Sequence, residues 1–328
     1  MTVLVTGGAG YIGSHMVHAL LALGEDVVVV DNLVTGFDWA VPPAARFERG
    51  DIADRSLLDR IMGENEIDAV IHFAGSVVVP ESVRDPLKYY DNNTAASRLL
   101  IEACVAHGVP RFIFSSTAAV YGEVSAETLT EDAAAQPINP YGRSKLMTEW
   151  MLRDVSAAHD LEHVALRYFN VAGADPDGRT GQSTAGATHL IKVACETALG
   201  QRSSMAIFGT DYETRDGTAI RDYIHVSDLI EAHVQALRYL RNGGKSLTAN
   251  VGYGRGYTVK EVVAAVERQT GAMPVELRER RAGDSAVVVA DASRARDVLE
   301  WTPRYDDLDL IVKHALAWQK ALDQRKQG

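Results

Sequence analysis

The sequence predicts an α/β protein built on a doubly wound parallel sheet, with a smaller C-terminal lobe. Over the first 170 residues, short apolar and β-branched segments alternate with helix-like segments. A glycine-rich turn follows the first apolar segment, and the alternation loosens from about residue 171. Continuous apolar strands indicate a sheet covered by helices on both faces. Their alternation with helices favours parallel strand order.

The elements follow from local patterns. The predicted strands are the apolar runs 2–6, 26–31, 46–51, 68–75, 111–116 and 163–170. Between the first two, apolar residues repeat at helical spacing and a glycine ends the repeat: Ile12, Met16, Ala19, Leu20, Leu23 and Gly24. Later helices are predicted near 187–200 and 305–323. We therefore divide the chain into residues 1–170 and 171–328, with some segments of the second part returning to the first.

The composition excludes several classes of partner. The 328 residues are 46% hydrophobic and 23% charged, which is typical of a globular protein. A formal net charge of -11 argues against nucleic acid or an anionic membrane as a partner. Cys104 and Cys195 form no Cys-x-x-Cys pair, which predicts neither a zinc site nor a disulfide framework. The start MTVLVTGG resembles no leader, and we expect a cytoplasmic protein without a metal.

The first turn, GGAGYIG, predicts a dinucleotide site. Gly7, Gly10 and Gly13 stand where the backbone must turn sharply, approach a pyrophosphate and let a helix pack on a strand. Asp31 ends the second strand 18 residues after Gly13, near the spacing at which an acid accepts hydrogen bonds from the adenosine ribose. The pattern indicates a Rossmann arrangement. Because no arginine follows Asp31 at the next two positions, NAD is favoured over NADP as the cofactor.

The segment PYGRSK, residues 140–145, predicts a second constellation. Pro140 is suited to the first turn of a helix, where its missing amide hydrogen loses no bond. Residues four apart lie on one helix face, so Tyr141 and Lys145 can address the same point. By itself the pair is equally compatible with an ordinary helix face.

Several motifs carry a resemblance to a known family. In order they are GGAGYIG, DNLVTG, GDI, HFAG, SSTAAVYG, YGRSK, RYFNVAGA and RDYIHVSDL. With them the chain resembles the extended short-chain dehydrogenase/reductases, and among these the UDP-glucose 4-epimerase family, from residue 1 to about 302. The resemblance implies an NAD-dependent enzyme that interconverts UDP-galactose and UDP-glucose. It also implies that residues 171–328 form mostly a UDP-sugar-binding lobe.

The resemblance also implies which residues act. The catalytic group would be Thr117, Tyr141 and Lys145. The residues around NAD would be Gly7, Gly10, Tyr11, Ile12, Gly13, Asp31, Asn32, Leu33, Thr35, Gly36, Asp51, Ile52, Phe73, Ala74, Gly75, Asn92, Ser115, Tyr141, Lys145 and Tyr168. The residues that hold the UDP-sugar would be Thr117, Tyr141, Phe169, Asn170, His189, Leu190, Ala206, Ile207, Phe208, Arg221, Tyr223, Arg281, Asp284 and Val288.

Three positions depart from the family's pattern. Val77 stands where some members carry a lysine near the cofactor, which predicts weaker retention of NAD. His189 stands where an asparagine is usual, and its imidazole offers an alternative hydrogen bond. Val288 replaces a tyrosine that limits the sugar pocket, so UDP-N-acetylglucosamine is a possible second substrate.

The expected chemistry needs a phenolate. A phenol titrates near pH 10, so ionising it near pH 7 requires about 4 kcal/mol of preferential stabilisation of the anion. One cation about 4 Å away, at an effective dielectric near 20, supplies about that much. We therefore expect Lys145 to lower the pKa of Tyr141, and Thr117 to share the hydrogen bond to the sugar hydroxyl.

Other functions remain open. A nucleotide-sugar 4,6-dehydratase of the related family carries an Asp-Glu pair after the catalytic threonine, where this chain has Ala118 and Ala119. A 4-epimerase for UDP-N-acetylglucosamine or a UDP-pentose is a stronger alternative, and a catalytically silent NAD-binding protein is a weaker one. The resemblance further implies a homodimer that pairs through helices near 85–107 and 140–158.

Overall fold

The first part of the chain folds, together with one later strand, into a seven-stranded sheet in which all neighbouring strands are parallel. The computed structural model describes residues 1–123, 127–281 and 284–327. The strands of this sheet are β1 (Thr2–Thr6), β2 (Asp26–Asp31), β3 (Arg46–Arg49), β4 (Ile67–His72), β5 (Arg111–Thr117), β6 (Glu162–Tyr168) and β10 (Leu247–Val251). Their spatial order is β10-β6-β5-β4-β1-β2-β3. Strand order reverses between β1 and β4, as in doubly wound sheets, and the predicted fold class is confirmed.

Helices cover the sheet and build the second lobe. In the described part of the chain they are α1 (Tyr11–Ala22), α2 (Arg55–Glu64), α3 (Val79–Arg84), α4 (Pro86–Tyr89), α5 (Ala96–Ala106), α6 (Pro140–Ala158), α7 (Leu190–Ala198), α8 (Val226–Arg241), α9 (Val259–Thr270), α10 (Ser293–Val298) and α11 (Leu308–Gln327). A single π-helical stretch, Tyr90–Ala95, joins α4 to α5. The helices predicted near 187–200 and 305–323 correspond to α7 and α11.

Alternate residues of each central strand belong to two different core layers. Val3 and Val5 pack in the layer that contains Met16 of α1, whereas Leu4 packs in the layer that contains Leu58 of α2. All five side chains are fully buried. Because successive strand side chains point to opposite faces of a sheet, a strand that is apolar at every position needs a helix layer on both sides.

Local chemistry fixes the start of helix α6. Asn139 is its N-cap, and the Asn139 side chain accepts a hydrogen bond from the Gly142 amide at 2.9 Å. Pro140 fills the first helical position, where its fixed φ suits the helix and no hydrogen bond is lost. These two residues set the position of Tyr141, which lies in the first turn of the helix.

The second lobe is made of shorter strands. They are β7 (Asn170–Ala172), β8 (Met205–Phe208), β9 (Ile220–His225), β11 (Gly256–Thr258), β12 (Val275–Arg278) and β13 (Val287–Val288). Strand β9 pairs antiparallel with β11 and parallel with β13 and β7. Strands β8 and β12 form a separate parallel pair.

The chain returns from the second lobe to the first sheet. Strand β10 pairs with β6, and helix α8 packs against α1. At the end of α8, the Arg241 guanidinium donates two hydrogen bonds to Glu25 at 2.6 and 2.9 Å, and one to Asp68 at 2.8 Å. Two parallel hydrogen bonds to one carboxylate are the strong form of an arginine–carboxylate contact. Arg241 therefore ties the end of α8 to Glu25, just before β2, and to Asp68 of β4.

Three further features bear on function. No helix among the described residues is both long enough and apolar enough to cross a membrane. Cys104 and Cys195 are buried and unpaired, and burial raises the pKa of both thiols, which keeps them protonated and unreactive. Within the described ranges, no cluster of three or more His, Cys, Asp or Glu side chains has an arrangement that fits a metal ion.

Candidate active site

The glycine turn between β1 and α1 is held by close backbone contacts. Gly7 has a φ of 71°, and its amide donates to the Val30 carbonyl at 2.8 Å. A Cβ atom on Gly7 would lie 2.6 Å from the Ala74 nitrogen, and one on Gly13 would overlap the Gly7 carbonyl. Gly10 is the N-cap of α1. Because unpaired amides at a helix N-terminus attract phosphate, this turn fits a pyrophosphate.

Asp31 is fixed at the end of β2 by two backbone amides. Its carboxylate accepts hydrogen bonds from Ala9 at 3.0 Å and from Leu33 at 2.8 Å. Burial raises the pKa of Asp31, and the two amide hydrogen bonds oppose that shift. Next to it, the Asn32 side chain donates to the Asp51 carboxylate at 2.9 Å. Asp31, which we predicted to face the adenosine ribose, and Asp51, which we predicted to lie near NAD, are thus linked through Asn32 at this edge of the sheet.

The opposite wall of the cleft follows β4. The amides of Phe73 and Ala74 donate to the Thr6 carbonyl at 2.9 and 3.1 Å, which draws this segment against the glycine turn. A Cβ atom on Gly75 would lie 3.0 Å from the Asn93 side-chain oxygen and 3.6 Å from the Lys145 ammonium nitrogen. This wall thus connects the glycine turn to helix α6.

Three residues predicted to be catalytic come from two elements. Thr117 ends β5, and Tyr141 and Lys145 occupy successive turns at the start of α6. Burial raises the pKa of Tyr141, and the neighbouring Thr117 side chain lowers it. Burial lowers the pKa of Lys145 to about 8. The edge of the Tyr89 ring faces the Tyr141 ring, with centroids 6.4 Å apart.

The ammonium of Lys145 is held by the sheet and not by the phenol. It donates to the Ser115 carbonyl at 2.9 Å and lies 4.9 Å from the centroid of the Phe114 ring. The Ser115 hydroxyl in turn hydrogen-bonds the Tyr168 hydroxyl. The expected effect of the Lys145 charge on the pKa of Tyr141 stays a prediction, whereas the shared location of Lys145, Ser115 and Tyr168 is observed.

A buried ion pair missing from the sequence prediction supports this group. Glu149, one turn after Lys145, accepts hydrogen bonds from Arg167 of β6 at 2.6 and 3.0 Å, and from the Ser116 hydroxyl of β5. Arg167 also donates to the Tyr121 hydroxyl at 3.1 Å. The pair therefore joins helix α6 to the two strands that end in the site. No local pattern reveals it, because its partners lie far apart in sequence.

Asparagine 93 is a second residue that sequence reasoning missed. Asn93 is buried; its side chain accepts from the Ser76 amide at 2.7 Å and donates to the Ser144 hydroxyl at 3.0 Å. The neighbouring Asn92, which was predicted, donates to the Ser76 hydroxyl at 2.9 Å. Both lie in the π-helical stretch Tyr90–Ala95, a distortion that is frequent at functional sites.

The second lobe presents arginines and aromatic rings. Arg221 lies on β9 in register with Val288 of β13, and its guanidinium is 3.8 Å from the Asp284 carboxylate. The Arg281 guanidinium lies 3.7 Å from the centroid of the Phe208 ring. Arg221 also donates a hydrogen bond to the Ile220 carbonyl at 2.8 Å. The two guanidinium groups, which we predicted to hold the UDP-sugar, are thus ordered by a backbone carbonyl, one carboxylate and one ring.

Other predicted substrate residues are placed differently. Ile207 and Tyr223 are enclosed in the main core, and Phe169 packs in a small core cluster against which Val288 lies. Asn170 pairs with Tyr223 across β7 and β9. His189 is exposed at the N-cap of α7, directly before Leu190, and Ala206 lies on β8.

The remaining predicted cofactor residues also have contacts of their own. The Tyr11 hydroxyl donates to the Gly173 carbonyl at 2.7 Å. Ile12 packs against the main core, and Ile52 is buried in the layer on the other face. The Thr35 carbonyl accepts a hydrogen bond from Thr184 at 3.2 Å.

Comparison with known proteins identifies the family. The profile of the NAD dependent epimerase/dehydratase family matches residues 3–252. The chain belongs to this family. A UDP-glucose 4-epimerase from Azospirillum brasilense is 58% identical and covers 98% of this chain and 93% of its own length. The resemblance seen in the sequence is therefore confirmed.

Solved structures of family members agree. The UDP-glucose 4-epimerase from Brucella ovis in complex with NAD is 46% identical, with a TM-score of 0.94, over 96% of this chain and 97% of its own. The UDP-Glc/GlcNAc 4-epimerase from Campylobacter jejuni is 48% identical, with a TM-score of 0.86, over 98% and 99%. The cofactor of this epimerase/dehydratase family member is NAD, as predicted.

The site fits that cofactor on its own geometry. The glycine turn offers backbone amides and no side chain at the N-terminus of α1. Asp31 offers a carboxylate that two backbone amides hold in place. Its spacing from the glycine turn is that of the acid that hydrogen-bonds the adenosine ribose in dinucleotide-binding folds. The particular contacts assigned to each residue remain predictions.

Proposed function

We propose that this chain is a 4-epimerase that interconverts UDP-galactose and UDP-glucose with bound NAD. The observation that supports the proposal is that Thr117 ends β5, that Tyr141 and Lys145 lie in the first turns of α6, and that the Lys145 ammonium reaches the Gly75 wall beside the glycine turn. Its relatives at 46–58% identity that carry the name UDP-glucose 4-epimerase support the same reaction.

Tyr141 would remove the proton from the sugar's 4-hydroxyl and later return it. The neighbouring Thr117 hydroxyl, which lowers the pKa of Tyr141, would align the sugar hydroxyl for this transfer. When bound, NAD would supply reversible hydride transfer at C4 of the sugar, and Tyr141 would hold the accompanying proton until it is returned.

Lys145 would supply the positive charge that the phenolate needs. With a pKa of about 8, its ammonium is mostly charged at neutral pH. Its hydrogen bond to the Ser115 carbonyl keeps that charge beneath the site. A nearby cation favours the ionised form of an acid, so the charge would oppose the rise in the pKa of Tyr141 caused by burial.

The second lobe would bind the UDP moiety more tightly than the sugar. Charge-assisted hydrogen bonds from Arg221 and Arg281 to a diphosphate would contribute about 1.5–3 kcal/mol each. Because the ketone must turn over between its two faces, weak contacts to the sugar and strong contacts to the diphosphate suit this reaction. The dehydratase alternative is disfavoured because Ala118 and Ala119, after Thr117, offer no acid.

The reaction is tested by products. Purified protein is incubated with UDP-galactose, with and without added NAD, and the nucleotide sugars are separated. UDP-glucose without accumulation of reduced cofactor supports the proposal. A 4-keto-6-deoxy product would indicate a dehydratase, and no turnover would indicate a silent NAD-binding protein.

A second candidate substrate is UDP-N-acetylglucosamine. Val288 is small and half-buried, and it pairs with Arg221 beside the proposed sugar pocket. The similar Campylobacter jejuni protein is a UDP-Glc/GlcNAc 4-epimerase. We expect Val288→Tyr to lower activity on the N-acetylated sugar about tenfold relative to UDP-glucose, measured as the ratio of kcat/KM values. An unchanged ratio would remove the pocket argument.

We also propose a homodimer that pairs through residues 85–107, which contain α4, the π-helical stretch and α5, and residues 140–158 of α6. In these two segments Leu87 is 76% exposed and Trp150 is 46% exposed. Between the segments lies an apolar groove lined by Tyr90, Thr94, Ala95, Arg98, Met147 and Met151. Light scattering should report twice the mass of the 35.6 kDa chain, and Trp150→Glu should shift it toward the monomer. The two buried free thiols are consistent with a cytoplasmic protein.

A further inference from the structure

The loop that follows β2 is covered by the last helix of the chain. This loop, residues 32–41, begins beside Asp31 and contains Phe37 and Trp39. The Phe37 and Trp39 rings lie 5.2 Å apart, and Trp39 lies 6.1 Å from Trp318 of α11. The Arg325 guanidinium lies 5.0 Å from the Trp39 ring and 5.1 Å from the Trp318 ring. We call these four side chains the aromatic clamp.

The loop is also bonded to the glycine turn. The Phe37 amide donates to the Ala9 carbonyl at 3.0 Å, and a Cβ atom on Gly36 would lie 2.8 Å from the Ala9 backbone. Ala9, in turn, donates its own amide to Asp31. Any outward movement of the loop therefore breaks contacts made by the residue that directly precedes Gly10.

The members of the aromatic clamp differ in burial. Trp318 is buried, and its indole nitrogen donates to the Ser183 hydroxyl at 3.3 Å. Trp39, by contrast, is 42% exposed, and Arg325 is exposed near the end of α11. Trp39 and Arg325 are thus the members that can separate without disturbing the core.

We propose that the aromatic clamp sets how long NAD stays bound, by holding loop 32–41 closed over the adenosine end of the site. The inference rests on the NAD site proposed above and assigns Trp39 and Arg325 as positioning residues for the cofactor. Because Asp31 and Leu33 lie at the base of this loop, outward movement of the loop would uncover the adenosine end of the site and let the dinucleotide leave. Separation of Trp39 from Arg325 and Trp318 is the first step of that movement.

The test measures release of NAD in the absence of any nucleotide sugar. Protein purified with its NAD is desalted and diluted, and NAD in the ultrafiltrate is measured over time. We expect Trp39→Ala and Arg325→Ala each to release NAD about three- to tenfold faster, as loss of exposed cation–π and ring contacts predicts. The rate of NAD release from Arg325→Lys should lie between those of the unaltered protein and Arg325→Ala, because an ammonium keeps the charge but loses the planar stacking.

Arg304→Ala is the matched control, since Arg304 is an exposed arginine of the same lobe with one ion pair, 3.7 Å from Glu231. It should release NAD at the unaltered rate. Hydrogen exchange of the amides in residues 34–41 should also accelerate in Trp39→Ala. Release within twofold of the unaltered protein in both clamp variants overturns the proposal. A failure of the epimerase assay leaves this result intact, because no sugar substrate enters the measurement.

Discussion

The cofactor side and the substrate side of the cleft hold their functional groups by different means. On the cofactor side, Gly7 and Asp31 are fixed by backbone contacts at the ends of β1 and β2. On the substrate side, Arg221 and Arg281 are ordered by a carboxylate 3.8 Å away and by an aromatic ring. The first arrangement depends on chain path and tolerates few substitutions. The second depends on individual side chains, so it can be altered without altering the fold.

The largest effect is expected where the two sides meet. Tyr141→Phe keeps the aromatic ring that contacts Tyr89 but removes the hydroxyl proposed to transfer the proton. Turnover of UDP-galactose should fall about 10²–10⁴-fold, while the NAD content of the purified protein stays unchanged. Tyr239→Phe, on α8 outside the site, is the control and should turn over normally. Near-normal turnover in Tyr141→Phe would refute its role.

The cofactor side is best challenged at Gly7. Gly7→Ala places a side chain at a φ of 71° and at 2.6 Å from the Ala74 nitrogen. Unfolding free energy should drop by about 2–5 kcal/mol, and NAD affinity should drop with it. Gly24→Ala is the matched control, because Gly24 has a φ of 77° but open space around it, so only the conformational cost of about 1 kcal/mol applies. Urea unfolding measures the free energy of unfolding of both variants. Equal losses of stability in the two variants would show that the close contact between position 7 and the Ala74 backbone is unimportant.

The substrate side is challenged at Arg221. Arg221→Ala should lower kcat/KM for UDP-galactose about ten- to a hundredfold, mostly through KM, since one charged hydrogen-bond donor is lost. NAD retention should not change. Arg268→Ala removes an exposed ion pair with Asp309 at 2.5 Å and serves as the control. If Arg221→Ala also emptied the cofactor site, the two sides would not be independent.

Acid tests the fold that carries the cleft, because histidines are buried in and against the large sheet. Burial lowers the pKa of His163 on β6 to about 4 and that of His233 on α8 to about 4. A histidine in the unfolded chain has a pKa near 6.5. Below that pH the unfolded chain therefore binds protons at these histidines, whereas the same histidines stay neutral in the folded chain. Stability is therefore full above about pH 6.5 and is lost as the pH falls toward 4.

The size of this effect can be isolated at one residue. From pH 7 to pH 5, His163 should account for about 2 kcal/mol of lost unfolding free energy. Denaturant titrations at the two pH values should show a correspondingly shallower loss in His163→Gln. His159→Gln, at the exposed C-cap of α6, is the control. Equal losses in His163→Gln and the unaltered chain would contradict the assignment.

Prediction from sequence succeeded where the signal is local. Six strands of the large sheet were predicted, five as runs rich in apolar residues and β3, RFER, as a short segment with one apolar residue. The glycine turn was recognisable because its spacing is regular. β10 was not recognised as a strand of that sheet: LTANV, residues 247–251, mixes polar and apolar residues, and its partner β6 lies far away in the chain.

The same limit applies to the site. Tyr141 and Lys145 share a helix face, which spacing alone predicts. The Glu149–Arg167 pair and the contact of Trp39 with Trp318 join separate elements, and only packing of the whole chain brings them together. The acceptor of the Lys145 ammonium, the Ser115 carbonyl, is a backbone atom that no residue pattern encodes.

The position of β10 has a consequence for synthesis of the protein. On the ribosome, the six earlier strands emerge first, and β6 is left as an open edge until residues 247–251 leave the exit tunnel. At about 5–20 residues per second this delay lasts several seconds. During that time the bare edge can pair with other nascent chains, so slow translation between the two strands carries an aggregation hazard that the finished fold no longer shows.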